Sequence, residues 1–253
     1  MEISLFNKLY TIPDSNTIKD ELQLPMFIYD ICWEEIIIRE AIQEGHNNIC
    51  KRLKEMSHIY AYMIDVLKTA KYNLCMACKE QYSQDLLVAK EDYDWLRMQY
   101  LCNSLMWYNA SFDIALQMIY LYYGLSNMEL KTENIDRILE GCRWSVIDNK
   151  KEEINFNLYE KLLNLKGKRK NINNWTIKLK HRGGLLKDDN EEEFFLNVIK
   201  SWMIGKIDEK DIIYDSSQTQ HLIPIIQVID SIREYHKEIT GFLREMSIIF
   251  KLL

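Results

Sequence analysis

Apolar residues recur along this chain in long 4,3 steps. Ile49, Leu53, Met56, Tyr60, Met63, Leu67, Ala70, Leu74 and Ala77 form the clearest run. The spacing predicts a long helix from Asn47 to about Gln81 that buries one seam against a neighbouring helix. Met98, Cys102, Leu105, Asn109, Phe112, Leu116, Ile119 and Tyr123 repeat the pattern, and Gly124 suits the C-terminal cap of a helix over 91–123. Ile225, Ile229, Ile232, His236, Ile239, Leu243, Met246, Phe250 and Leu253 predict a last helix from near Leu222 to the end. The first two helices are expected to pair antiparallel as a spine.

Shorter elements fill the intervals. Residues 1–25 read as one short helix and a loop punctuated at Pro13-Asp14, and 26–44 as a helix. A helix opening at Thr132-Glu133 should end at Gly141, and 143–154 look irregular. Asn155 or Asn157 can cap a helix that runs through Leu165. Gly167-Lys168-Arg169-Lys170 reads as a loop, and 171–182 as a brief separate helix halted by Gly183-Gly184. Asp189 to Glu193 has the spacing of a helix cap, with 194–204 helical and 205–219 a polar connection. No stretch reads as a strand. The prediction is all-α: a single up-and-down helical bundle over 1–253, with two long central helices and a long C-terminal one.

Composition supports this picture. Among 253 residues there are 8 Gly and 3 Pro, too few for the frequent turns of a sheet protein. No apolar window approaches the length of a membrane span, and Met1–Tyr10 lacks the pattern of a secretory signal, so a cytoplasmic protein without membrane contact is expected. Cys75-Met-Ala-Cys78 has no second pair and no strand context, and the cysteines read as small core hydrophobes. Neither a metal nor a cofactor is expected. No phosphate-binding glycine loop, HExxH or GxSxG is present.

Charge changes the picture more. The chain has formal charge −6, yet 161–187 holds nine Lys/Arg and no Asp or Glu. The rest of the chain therefore carries 23 minus 38, or −15. A basic block in an acidic protein attracts phosphates or an acidic partner. On the helix at 171–182, Ile172, Trp175 and Leu179 can face the bundle, while Asn171, Asn174, Lys178 and His181 step 3,4,3 along another side. A histidine that titrates near neutrality, flanked by Lys178 and Arg182, can move a proton while the cations stabilise a phosphoryl group. Lys168, Arg169, Lys170, Asn174 and Lys180 would bind phosphate. The same residues also read as a solvated basic face with His181 near a helix end. Asn109 breaks an apolar seam with Asp113 one turn on. That pair either fixes helix register or supports the His181 strip from across the bundle. His236 reads as a core histidine with a hydrogen bond.

Asn103 to Asp113 (NSLMWYNASFD) and Asn173 to Gly184, ending Lys-His-Arg-Gly, resemble bacterial all-helical proteins related to the HEPN (higher eukaryotes and prokaryotes nucleotide-binding) superfamily. The resemblance implies a helical, often dimeric bundle. It also implies metal-free ribonuclease or nucleotidyl-transfer chemistry in toxin–antitoxin or phage-defence systems, with RNA, DNA or nucleotide as partner. His181 matches the family's His. The positions open to its Arg hold Asn174, Trp175 and Thr176, so Lys178 or Arg182 would have to supply charge. The other expectation is a non-catalytic, antitoxin- or immunity-like helical protein that docks an acidic partner.

Overall fold

The computed structural model describes residues 1–5, 8–24, 47–82, 93–126, 128, 134–182 and 225–251. The order of elements is β1 (Glu2–Leu5), β2 (Lys8–Thr11), α1 (Ser15–Glu21), α2 (Asn47–Ala77), α3 (Tyr93–Tyr122), α4 (Ile135–Glu140), α5 (Trp144–Asn149), a 3₁₀ turn (Lys151–Glu153), α6 (Phe156–Arg182) and α7 (Ile225–Lys251). Among the described residues the fold is all-α apart from one short pair of antiparallel strands.

The seams decide the packing. Met56, Tyr60, Met63, Leu67, Ala70, Leu74 and Ala77 of α2 are all buried. So are Leu105, Asn109, Phe112, Leu116 and Ile119 of α3. Arg97 donates to the carbonyls of Lys79 and Glu80, Ser104 donates to that of Ala70, and Arg52 lies against Gly124. The paired numbers rise on one helix as they fall on the other, so α2 and α3 are antiparallel. Gly124 takes φ 58° at the end of α3, where a left-handed residue closes the helix; a Cβ there would lie 2.0 Å from Arg52 Nη1.

α3 is the central element. Tyr108, Ser111, Ile114, Ala115, Met118, Tyr120 and Leu121 are buried in addition to its seam, so its second half is enclosed on most sides. α6 packs antiparallel to it. The Tyr123 hydroxyl accepts from the Asn155 amide, and Arg169 lies against Asp113. α7 runs in the same direction as α3. His236 meets Tyr108, and seven residues later the Leu243 carbonyl accepts from Tyr60, which faces the second half of α3. The four long helices thus alternate up and down.

Four local expectations are corrected. Residues 2–5 and 8–11 pair as antiparallel strands, with Glu2 opposite Thr11 and Leu5 opposite Lys8, and α1 follows them, capped by Asp14. Strands of four residues are too short to announce a period of two. Residues 144–149 form a helical turn and a half, held by buried Ile147 and by Trp144. The expected loop at 167–170 is the middle of α6, which is a single helix of 27 residues. Gly167 costs such a helix about 1 kcal/mol relative to Ala. The seam Leu158, Leu162, Leu165, Arg169, Ile172, Thr176, Leu179 passes through it without a break and outweighs that cost. The separate helix expected at 171–182 is therefore the second half of α6. The helices expected at 26–44 and 194–204, the cap at 189–193 and the connection at 205–219 lie outside the described residues.

Candidate nucleic-acid interface

α6 begins where Asn155 accepts from the Leu158 amide through its side chain, a helix cap. From Lys161 to Arg182 it carries eight of the nine cations of the basic block, all but Lys187, and no acid. At 1.5 Å per residue that stretch is roughly 30 Å long. The bundle divides these cations into two sets.

The first set is engaged by side chains of the other helices. Arg169 occupies a seam position, and its Nε donates to Asn109 Oδ1 at 2.8 Å. Its Nη2 reaches Asp113 at 3.1 Å, and its guanidinium carbon lies 4.5 Å from the centre of the Phe112 ring. Asn109 and Arg169 are thus polar members of two largely apolar seams, and they satisfy one another where α3 and α6 meet. Lys168 donates to Glu234 of α7 at 2.7 Å, and that pairing holds its ammonium above the ordinary lysine range. Lys166 stands 3.9 Å over Trp144, whose ring stacks between Phe112 and Tyr159. The Tyr159 hydroxyl bonds to Asp148, and that contact pushes the phenol up to about 12.

The second set faces outward. Lys161, Lys170, Asn171 and Asn174 are exposed. Ile172 and Trp175 are buried and Leu179 packs against the core, so the inner anchors of the second half of α6 are the expected ones. The α6 backbone continues through Lys178, Lys180, His181 and Arg182. Their side chains lie outside the described residues.

Asn109 and Asp113 therefore meet α6 at Arg169, twelve residues before His181. That is roughly 18 Å along the axis. The pair binds two helices together at mid-length and does not stand beside His181. The partner of the pair was readable in the sequence, because Arg169 falls on a 4,3 seam; reading Gly167 as a break concealed it.

His236 is another ionisable group deep in the bundle. Its Nδ1 lies 2.8 Å from the Tyr108 hydroxyl and its Nε2 3.2 Å from the Gln23 carbonyl. A carbonyl only accepts, so Nε2 carries the hydrogen and bare Nδ1 accepts from Tyr108. Burial holds this imidazole down to about 4, and Lys71 and Arg244 add to the effect. Cys75 is half-buried and Cys78 fully so, and burial pushes the Cys78 thiol up to about 12. Both are protonated core groups, not nucleophiles. Among the described residues no three His, Cys, Asp or Glu side chains are grouped to hold a metal, and no helix is long and apolar enough to cross a membrane.

No family model, curated protein or solved structure matches this chain.

Proposed function

We propose that the protein binds nucleic acid along the outward face of α6. The observation that carries this reading is the continuity of α6. One unbroken helix, without an acid over its last 22 residues (161–182), exposes Lys161 on one side, Lys170 on the opposite side, and the amides of Asn171 and Asn174 beyond Lys170. Exposed cations followed along the helix by amide donors suit a phosphate backbone. At the C-terminal end of the helix, His181 with Lys178 and Arg182 would supply metal-free cleavage of RNA, His181 moving the proton and the cations stabilising the phosphorane charge. The HEPN resemblance points to the same end of the helix. Asn109 and Asp113 have no part in this proposal, since Arg169 occupies both.

Labelled RNA and DNA oligomers mixed with the protein at about 50 and 200 mM salt test the reading. Binding should weaken steeply between the two, and any cleavage should vanish in His181→Ala while binding persists. Absence of binding at the lower salt sinks the proposal.

A second reading has its own support. Phe156, Leu163 and Ile177 are exposed at 73%, 41% and 47%. With Lys170 they fall seven residues apart on one row of α6. An apolar row flanked by cations fits an amphipathic, acidic helix of a partner protein better than it fits phosphate. This is the non-catalytic alternative, and association with such a helix that depends on Phe156, Leu163 and Ile177, together with no binding of RNA or DNA, would favour it.

A further inference from the structure

The described residues contain an open cleft of about 500 Å³ between the end of α1 and α7. Its walls are the last residue of α1 (Glu21) with Leu22 and Gln23 after it, and a stripe of α7 in which Arg233, Lys237, Thr240 and Arg244 step 4,3,4. His236 lies at its base. A volume of this size is within the range of small-ligand sites.

The charges of the cleft are unevenly committed. Arg233 grips Glu21 through Nε and Nη2 at 2.7 Å each, and its Nη1 holds Asp230 at 2.9 Å. Glu234 is taken by Lys168 from α6. All three carboxylates that line the cleft are thus paired with cations. Lys237 and Arg244 have no ion pair among the described residues, and both are exposed. The ammonium of Lys71, which donates to the Lys19 carbonyl, is a further cation on this side of the bundle. It and Arg244 both act against protonation of His236. His236 itself offers the ligand nothing, since both ring nitrogens are already bonded. The cleft therefore has a neutral floor, neutralised acids and two unspent cations.

We propose that this cleft binds a small polyphosphate-type anion bridging Lys237 and Arg244. Seven residues separate the two positions, which is roughly 10 Å along the helix. One phosphate group can satisfy one of them; a chain of linked phosphates reaches both. Charge-assisted hydrogen bonds from both side chains would hold it, with the Thr240 position between them.

Calorimetric titration of the full chain with inorganic tripolyphosphate at low salt tests this. Saturable binding is expected, weakened at least about tenfold in Lys237→Gln/Arg244→Gln. Both side chains are exposed, so that variant should fold as the parent does. Orthophosphate should bind far more weakly than tripolyphosphate. As a second readout, the His236 imidazole should become easier to protonate when the anion is bound, observed by NMR. The idea is overturned by lack of saturable binding, by equal affinity for orthophosphate, or by an unchanged affinity in the double variant. Loss of binding in Lys161→Gln/Lys170→Gln instead would place the anion on α6 and equally overturn it.

Discussion

His236 shows how one residue on a 4,3 seam ties three elements together. Its neutral ring joins α3 through Tyr108 and the chain after α1 through Gln23. Folding lowers its pKa from 6.5 to about 4. The neutral form is therefore the one that stabilises the fold. That contribution is fully present above about pH 6.5 and is lost as pH falls through 4, where the folded protein must also take up the proton. At its full extent it amounts to about 3 kcal/mol. Urea unfolding at pH 7 and pH 4 should show that difference in the parent and a much smaller one in His236→Gln. The seam made the burial of this histidine readable, but not its partners, since neither Tyr108 nor Gln23 is marked by any local pattern. The Asn109–Arg169 contact belongs to the same scale. A double-mutant cycle of Asn109→Ala and Arg169→Ala should give a coupling of about 1–2 kcal/mol. A coupling near zero would mean that the two seams do not meet there.

At the scale of elements, helices long enough to show several periods were legible and shorter elements were not. α2, α3 and α7 follow their seams to within a few residues at each end. The N-terminal strand pair has four residues per strand and α5 has six, so neither completes a pattern. α6 is the instructive case, because a glycine marks a break locally while a seam of seven positions carries the helix through it. Nothing lies within 4 Å of a Cβ built on Gly167. Gly167→Ala should therefore raise stability by about 0.5–1 kcal/mol in denaturant unfolding. A loss of stability would mean that the chain breaks there after all. Gly124→Ala should do the opposite, because its φ is positive and Arg52 fills the space a methyl would need.

At the scale of the whole molecule, the bundle sorts charge. The sequence marked 161–187 as basic, but it could not tell which cations are spent, because Glu234, Asp113 and Trp144 are distant in sequence and meet α6 only through packing. Lys166, Lys168 and Arg169 help to hold α6 against α3, α5 and α7, and Lys161 and Lys170 remain outward. The most direct test is the salt dependence of RNA binding, measured as the slope of log K against log salt. Changing Lys161 and Lys170 to Gln should make the slope shallower by about two, whereas Lys168→Gln should leave it nearly unchanged. An equal effect of Lys168→Gln, or a slope indifferent to Lys161 and Lys170, would contradict the assignment of α6's outward face as the phosphate-binding surface.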